Sequence, residues 1–404
     1  MEDESILELV FKASEVLKSV VHRTPTVHSA FLSSVTGKSV YLKLENLQKT
    51  GSFKVRGAYF KISSLPQDVM VRGVVTASSG NHAQGVAYSA RELRVPSVIV
   101  MPETAPPYKV NAVRSYGGEV ILHGQIYDEA YQKALEVCER TGMTLIHPFN
   151  DPHIIAGQGT IGLEIMEDVP KVDTVVVPIG GGGLISGIAL AVKRLSGGRV
   201  KVVGVEPSVA AKTRAALEAG HPVKMSPQPS LADGVITKSL GDLTFKLIRR
   251  YVDQVVEVEE DQIARAIYLL LERTKLLAEG AGALSVAALL SRGAEIPGDT
   301  VVALVSGGNA DLTTLYRILM RGLMSEGRVV RITVSLKDVP GSLESVLKVL
   351  ADLRCNILEI THDRFDLDIK PGYAKVKILM EIPETRTLVR AVERLKELGV
   401  EVLE

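Results

Sequence analysis

The stretch Thr174-Val-Val-Val-Pro-Ile-Gly-Gly-Gly-Gly-Leu-Ile-Ser-Gly187 decides the fold, because a valine-rich run, a glycine turn and a helical stretch follow one another in it. This order predicts one strand–turn–helix unit of a parallel sheet. Successive glycine N–H groups at the start of a helix bind phosphate well. The dinucleotide fingerprint GxGxxG fails here, since Ile185 stands five residues after Gly180. The stretch therefore predicts a phosphate cradle, and the alternative is a tight turn with close helix packing.

The same order of strand, turn and helix repeats from about residue 38 to residue 310, which predicts an α/β fold with a parallel sheet. Two more junctions have this form. Val74–Ala77 leads into Ser78-Ser-Gly-Asn-His82, and Val301–Val305 leads into Ser306-Gly-Gly-Asn309. In open α/β sheets, ligands bind beyond the carboxyl ends of the strands. We therefore expect the three turns to converge on one cleft.

The turn Ser78–Gly85 places two hydroxyl groups, an amide and an imidazole around a glycine at the start of a helix. Such a turn donates several hydrogen bonds to a carboxylate. A lone histidine is more often buried and hydrogen-bonded than catalytic. We therefore assign His82 a supporting role.

Lys54 lies in Thr50-Gly-Ser-Phe-Lys-Val-Arg-Gly57, which predicts a turn entering a helix, with Ser52 as the N-cap and Lys54 in the first turn. The helix dipole disfavours a cation there and lowers the pKa of the amine, which leaves more free amine to attack an aldehyde. The alternative is a lysine that only solvates a helix face. A reactive lysine together with a phosphate cradle indicates pyridoxal phosphate. In that case the hydroxyl of Ser306 faces the pyridine nitrogen and keeps the ring a modest electron sink; otherwise Ser306 is a turn residue or helix cap.

The composition limits the partners. The 404 residues carry 47 basic and 47 acidic side chains without a block of like charge, which excludes an electrostatic footprint for nucleic acid or an anionic membrane. A small molecule is the expected partner. Cys138 and Cys355 belong to no metal or disulfide pattern, so we expect a cytoplasmic protein. We expect neither a signal peptide nor a membrane span, because the start is acidic and the uncharged run 174–192 contains Pro178 and the glycines.

After Gly327 the pattern changes to an alternation of period two over Val329–Leu336. The runs that follow are a helical stretch to about Leu353, strands over Asn356–Phe365 and Tyr373–Ile382, a helix over Thr385–Leu398 and a strand over Val400–Leu403. Their order predicts βαββαβ, a small ferredoxin-like domain. We therefore expect two domains, residues 1–324 and 328–404, with a smaller subdomain at about 50–150 inserted in the first.

Four segments, SFKVRGA, SSGNHAQG, GGGGLISG and SGGN, stand in the order found in the serine/threonine dehydratase branch of the pyridoxal-phosphate enzymes. The chain resembles this family, which has the tryptophan-synthase β fold (fold type II), from about residue 10 to residue 322. Relatives such as cysteine synthase differ around the Asn81 loop and the active lysine, so dehydration is favoured over β-replacement. The tail from about residue 328 resembles an ACT domain, a regulatory module that binds small ligands.

The resemblance implies a role for each matching residue. Lys54 forms the covalent imine with the cofactor and is the catalytic base, and Phe53 lies against the cofactor. The other cofactor contacts are Asn81 at the ring hydroxyl, Ser306 at the ring nitrogen, and the backbone amides of Gly180, Gly181, Gly182, Gly183 and Leu184 at the phosphate. The substrate residues are Ser78, Ser79, Gly80, Asn81 and His82. In serine racemases the serine that matches Ser79 acts on the face opposite the lysine, so Ser79 is a second catalytic candidate and racemisation a minor reaction.

Racemase-like members of the family hold a divalent metal at a site that begins at the glutamate matching Glu206, with an aspartate where this chain has Lys212. We therefore expect no divalent metal, with the Lys212 ammonium in the place of the cation. In the tail, a glycine lets a ligand approach closely and an asparagine offers an amide. The predicted regulatory-ligand residues are Asp338, Pro340, Gly341 and Asn356. The alternative for the tail is a dimerisation domain without a ligand.

The activity implied by the resemblance is threonine ammonia-lyase, which converts L-threonine to 2-oxobutanoate and ammonia with pyridoxal 5'-phosphate, with L-serine as a second substrate and regulation through the tail. One alternative is a serine dehydratase or racemase, because one methylene is worth only about 1–3 kcal/mol in a pocket. Another is a non-catalytic amino-acid sensor, against which the intact Lys54, Asn81 and Ser306 count. The sequence leaves open the effector, the choice between a dimer and a tetramer, and whether the role is biosynthetic or degradative.

Overall fold

The computed structural model describes residues 3–291 and 293–403, and the chain divides into two compact units, one up to Asp311 and one from Leu312 onward. Over these described ranges, every helix is too short or too polar to cross a bilayer. The helix Leu312–Ser325 belongs to the second unit, so the division precedes the linker expected near residue 325.

The first unit alternates helices and strands. Its helices are α1 (Asp3–Leu17), α2 (Ala30–Thr36), α3 (Lys54–Ser63), α4 (Gln67–Arg72), α5 (Asn81–Glu92), α6 (Pro107–Ser115), α7 (Tyr127–Thr141), α8 (Pro152–Asp168), α9 (Gly183–Leu195), α10 (Lys212–Ala219), α11 (Asp242–Tyr251), α12 (Glu260–Thr274) and α13 (Gly280–Leu290). Its strands are β1 (Thr26–His28), β2 (Ser39–Leu44), β3 (Val74–Ala77), β4 (Ser97–Met101), β5 (Glu119–Leu122), β6 (Thr144–Leu145), β7 (Thr174–Pro178), β8 (Lys201–Pro207), β9 (Gln254–Val258) and β10 (Thr300–Val305). Short 3-10 helices cover Glu45–Leu47, Ser208–Ala210 and Asp233–Val235.

The larger sheet of the first unit has the strand order β1-β2-β10-β7-β8-β9, and its pairs are parallel except for β1 with β2. The residues of β7 and β10 are buried apart from the half-buried Thr300, as expected for parallel strands covered on both faces. The predicted α/β fold with a parallel sheet is confirmed. Because β7 and β10 are parallel neighbours, the turns that follow them lie at the same edge of the sheet.

Helices α8 and α9 pack so closely that only glycine fits at their contact. A Cβ atom on Gly187 would lie 2.2 Å from the carbonyl oxygen of Ile155. Since α9 begins at Gly183, this contact fixes the helix whose first turn continues the glycine stretch.

The smaller sheet has the order β5-β4-β3-β6, and all of its pairs are parallel. Its strands lie between Val74 and Leu145, within the range expected for the inserted subdomain. The strand β3 ends at Ala77, directly before the Ser78–Gly85 turn, and α5 begins at Asn81. The second predicted junction therefore belongs to this smaller sheet.

The second unit begins with α14 (Leu312–Ser325) and continues with β11 (Val329–Lys337), α15 (Ser342–Asp352), β12 (Asn356–Asp363), β13 (Tyr373–Glu381), α16 (Arg386–Glu397) and β14 (Glu401–Val402). Its strands form an antiparallel sheet in the order β12-β13-β11-β14. An apolar cluster that includes Val334, Leu350 and Ile378 forms its core. The βαββαβ order predicted for the tail is confirmed.

Candidate active site

The segment before Lys54 is joined directly to the segment after β10. Ser52 and Gly307 form an antiparallel bridge, and the N–H of Phe53 donates to the carbonyl oxygen of Ser306 at 3.2 Å. These bonds place Phe53 and Lys54 beside Ser306 at the carboxyl end of β10. Two of the predicted site segments are therefore in contact.

The predicted N-cap role of Ser52 is wrong. The helix α3 begins at Lys54 after Phe53, and no side chain caps it, because Ser52 is held in its bridge to Gly307. In the described part of the chain, the buried hydroxyls of Ser52 and Thr50 have no hydrogen-bond partner. Since an unpaired buried hydroxyl costs free energy, these two groups indicate a polar ligand beside Lys54.

Lys54 carries the amine of the site. Its Nζ donates to the carbonyl oxygen of Pro148 at 3.0 Å and lies 5.3 Å from the centroid of the Phe53 ring. Burial lowers the pKa of the Lys54 amine to about 8, while the Glu279 carboxylate opposes this effect. The sequence predicts the same direction from the helix dipole, whereas burial is the main cause in the structure. The amine is therefore reactive near neutral pH.

Buried charges anchor α3 just beyond Lys54. Arg56 pairs with Glu45 at 2.7 Å and with Glu164 at 2.6 Å, and the fully buried Lys43 pairs with Glu164 at 2.6 Å. Burial alone would raise the pKa of Glu45, but the Arg56 guanidinium outweighs it and holds this pKa below its usual range. Each of these charges has a partner of opposite sign, so the cluster holds the first turns of α3 firmly against β2 and α8.

Asn81, the first residue of α5, is held by side chains from two distant segments. Its Nδ2 donates to Glu279 Oε1 at 2.6 Å, and its Oδ1 accepts from Asn309 Nδ2 at 2.8 Å. Asn309 also donates to the carbonyl oxygen of Thr50 at 2.8 Å. One hydrogen-bond network thus joins the SSGN turn, the SGGN turn and the segment that carries Lys54.

Glu279 is a functional candidate that the sequence analysis missed. It directly precedes α13, and its N–H donates to the carbonyl oxygen of Gly307 at 3.1 Å. Burial, followed by the nearby Asp233, raises the pKa of Glu279 to about 7. Its partner Asn81 lies 198 residues away, so no local pattern marks it.

The other predicted substrate residues lie around the start of α5. Ser78 and Ser79 are half-buried, and the Ser78 hydroxyl accepts from the N–H of Gly80 at 3.3 Å. His82 is buried, and its Nε2 donates to the carbonyl oxygen of Ile146 at 3.0 Å. Burial lowers the pKa of His82 to about 3, so its ring is neutral. This position fits support of the turn better than contact with a ligand.

The glycine loop, Gly180–Gly183, connects β7 to the first turn of α9. Within the ranges that the structure describes, the N–H groups of Gly180, Gly181 and Gly182 donate to no protein acceptor. A Cβ atom on Gly181 would lie 2.2 Å from the Phe149 ring, and Gly182 has φ of +96°. The loop therefore requires glycine and keeps its amide donors available, which fits a phosphate group. Leu184, the last predicted phosphate contact, is buried in the first turn of α9.

A second missed element contacts both the reactive lysine and the glycine loop. His147 Nδ1 accepts from the N–H of Phe149 at 3.2 Å and from that of Asn150 at 2.9 Å, so this nitrogen carries no proton. Burial lowers the pKa of His147 to about 4, which keeps the ring neutral. The resulting turn presents the Pro148 carbonyl to the lysine and the Phe149 ring to the loop.

Ser306 lies at the carboxyl end of β10 and is buried. Its Oγ donates to the carbonyl oxygen of Ala281 at 3.4 Å. A hydrogen bond of this length is weak, so the hydroxyl is available to a better partner.

Glu206 and Lys212 are both fully buried, and Oε2 of Glu206 lies 3.6 Å from Nζ of Lys212. Among the residues that the structure describes, no group of three or more His, Cys, Asp or Glu side chains is arranged to hold a metal ion. Lys212 thus lies next to Glu206. The metal content of the protein stays a prediction.

The residues predicted to bind a regulatory ligand lie at two ends of the tail's sheet. Asp338–Gly341 follows the carboxyl end of β11. Asn356 begins β12 and pairs with Glu381, which pairs with Val329 at the opposite end of β11. A single copy of the chain therefore does not bring these residues together.

The site combines the buried Lys54 amine of lowered pKa, two unpaired hydroxyls near it and the amide donors of the glycine loop. The amine fits a cofactor with a carbonyl group, and the loop fits its phosphate. A family model described as "Pyridoxal-phosphate dependent enzyme" matches residues 17–307. The chain belongs to this family of pyridoxal-phosphate dependent enzymes, and its cofactor is pyridoxal phosphate.

The proteins similar to this chain include enzymes named for their action on threonine or serine. The chain is 50% identical over 375 residues to an L-threonine ammonia-lyase of Thermotoga maritima, covering 93% of each chain. A threonine deaminase structure from T.th. has 44% identity and a TM-score of 0.72, covering 76% of this chain and 98% of that one. Maize serine racemase has 38% identity and a TM-score of 0.73, covering 79% of this chain and 98% of that one.

Proposed function

We propose that the chain is a threonine ammonia-lyase that converts L-threonine to 2-oxobutanoate and ammonia, and that L-serine is a second substrate. The observation that carries the proposal is the Lys54 amine, whose pKa is about 8 and whose segment lies beside Ser306 and the Asn81 network. The chain is also 50% identical to an L-threonine ammonia-lyase. The atoms of the reaction balance, because elimination releases one water molecule and the hydrolysis that releases ammonia consumes one.

Five groups of the chain would hold the cofactor. Lys54 would bind it covalently through Nζ, and the amides of the glycine loop would hold its phosphate. Ser306 would face the ring nitrogen and Asn81 the ring hydroxyl, and Phe53 would pack against the ring. When bound, the cofactor supplies an electron sink for the negative charge that forms at the substrate Cα.

Lys54 acts as the base in the reaction. With cofactor and substrate bound, Nζ would take the proton from the substrate Cα. The Pro148 carbonyl, 3.0 Å from Nζ, accepts one N–H and so orients the amine. The lowered pKa keeps enough of the amine unprotonated at neutral pH.

The turn at the start of α5 would bind the substrate carboxylate. Ser78 and Ser79 offer hydroxyl donors, and the N-terminus of α5 favours an anion. By its match to the serine of serine racemases, Ser79 would act on the side opposite Lys54, which would give racemisation as a minor reaction. Retained trace racemisation in a Ser79→Ala variant would contradict that role.

The test is 2-oxobutanoate formation from L-threonine by the purified holoenzyme, compared with a Lys54→Ala variant. The exposed Lys201→Met variant is the matched control, since it also removes a lysine. We expect loss of product only in Lys54→Ala. A kcat/KM for L-serine at or above that for L-threonine would favour a serine dehydratase or racemase. Binding of pyridoxal phosphate without product from either substrate would favour the amino-acid sensor.

We further propose that the second unit is an ACT-like module that regulates the enzyme in a cytoplasmic homo-oligomer, a dimer or tetramer. The βαββαβ order supports the module. A ligand regulates only if it binds one state of the enzyme more tightly. We expect an amino acid to change kcat/KM of the full chain, and an unchanged kcat/KM with all twenty would favour a tail that only dimerises.

A further inference from the structure

Lys212 is a buried lysine whose Nζ lies near oxygen atoms of four residues. Its Nζ donates to the carbonyl oxygens of Ala210 at 3.3 Å, Ile179 at 3.4 Å and Val235 at 3.4 Å. The carboxylate of Glu206 lies 3.6 Å away. Its side chain is fully buried, so these oxygens replace the water that the ammonium would otherwise bind.

The surroundings fit the charged form of both side chains. An ammonium has three donors and no acceptor, and the oxygens around Lys212 Nζ match that need. Glu206 also accepts from the N–H of Thr213 at 3.0 Å and of Arg214 at 3.3 Å. Burial lowers the pKa of Lys212 and raises that of Glu206, and the attraction between the two opposes both changes. The hydrogen bonds on both sides nevertheless match the donors of an ammonium and the acceptors of a carboxylate.

One of the carbonyls belongs to the glycine loop. The carbonyl of Ile179 and the N–H of Gly180 form a single peptide group, and in a trans peptide they point in opposite directions. An ammonium at the carbonyl of Ile179 therefore fixes the direction of the Gly180 N–H. It also polarises the peptide group, which strengthens that N–H as a donor.

A second carbonyl ties the loop to its neighbour. Val235 ends the 3-10 helix Asp233–Val235, and a Cβ atom on Gly180 would lie 3.3 Å from its Cα. The same ammonium therefore binds the backbone on both sides of this close contact. Together, these contacts restrain the first peptide of the glycine loop from both sides.

We propose that Lys212 is a positioning residue for the cofactor phosphate: its ammonium fixes and polarises the Ile179–Gly180 peptide so that the Gly180 N–H is directed at the phosphate. This inference rests on the proposed placement of the phosphate at the glycine loop. Its effect would reach the cofactor through the backbone of the glycine loop.

The experiment measures the dissociation constants of pyridoxal phosphate and of pyridoxal, which lacks the phosphate, for the full chain freed of cofactor. Lys212→Met removes the ammonium at similar side-chain volume. Glu206→Gln/Lys212→Met removes both charges, so that no unpaired carboxylate stays buried and the protein folds if the single variant does not. Lys201→Met, on the same strand as Glu206 but half exposed, is the control.

We expect both Lys212 variants to bind pyridoxal phosphate more weakly by about tenfold or more, because a charge-assisted contact is lost from the donor peptide. Their affinity for pyridoxal should stay unchanged. Unchanged affinity for pyridoxal phosphate in the double variant would overturn the inference, as would an equal loss for both ligands. A wild-type protein that binds the two ligands equally would instead overturn the proposed placement of the phosphate, and this inference with it.

Discussion

The amine of Lys54 in the cofactor-free protein should titrate with a pKa of about 8, because burial disfavours the ammonium. At pH 7 this leaves about a tenth of the amine unprotonated, against about 0.03% for a lysine with an ordinary pKa of 10.5. The fraction able to attack an aldehyde is thus larger by a factor of about 300. This larger fraction of free amine favours the capture of the cofactor at neutral pH.

Competitive labelling measures that pKa at a single residue. The cofactor-free protein is methylated with formaldehyde and cyanoborohydride at a series of pH values, and the peptide that carries Lys54 is quantified by mass spectrometry. Nα-acetyllysine in the same tube serves as the internal standard. The labelling of Lys54 relative to the standard should be highest at low pH and should decline once the pH exceeds about 8. A constant ratio across the whole range would refute the reasoning.

Replacing Glu279 tests how its carboxylate changes the pKa of the Lys54 amine. Glu279→Gln keeps an acceptor for Asn81 but removes the anion that favours the Lys54 ammonium. The pKa of Lys54 should therefore fall further below about 8, and labelling at pH 7 should become faster. A higher pKa in this variant would mean that Glu279 acts on the amine in another way.

Three further substitutions test other parts of the site. Gly181→Ala would place a Cβ atom 2.2 Å from the Phe149 ring, so a titration with pyridoxal phosphate should show affinity weakened by about fivefold or more, and unchanged affinity would contradict the packing argument. Arg56→Met leaves Glu45 buried without its partner and should lower the free energy of unfolding by about 3–5 kcal/mol in urea at pH 7, with part of the loss recovered by adding Glu45→Gln. Ser306→Asp should make the cofactor ring a stronger electron sink and divert product away from elimination, and product analysis that shows the wild-type partition would count against the role of Ser306.

The fold could be predicted because its signals are local. The valines before Gly180 and before Ser306 mark buried parallel strands, and the glycines and serines that follow mark the turns. Each junction needs only about a dozen consecutive residues to be recognised. The alternation after Gly327 predicts the antiparallel sheet of the tail for the same reason.

The partners inside the site could not be predicted, because they come from backbone atoms and from distant segments. The acceptor for Lys54 is the carbonyl of Pro148, which carries no side-chain signature. Glu279 belongs to none of the motifs found in the sequence, and its part in the site follows from its hydrogen bond to Asn81. Ser52 has the residue type of an N-cap, but its bridge to Gly307, a pairing between distant segments, overrides that local preference.

The charge cluster around Arg56 also bears on how the enzyme responds to heat. Removing charged groups from water becomes less costly as temperature rises, whereas the stabilisation from each buried apolar area reaches a plateau. The start of α3 is held by four buried or partly buried charges, those of Arg56, Glu45, Glu164 and Lys43. Their relative contribution to its stability is therefore larger at high temperature than at low temperature. On heating, the turn that carries Lys54 should be among the last parts of the first unit to loosen.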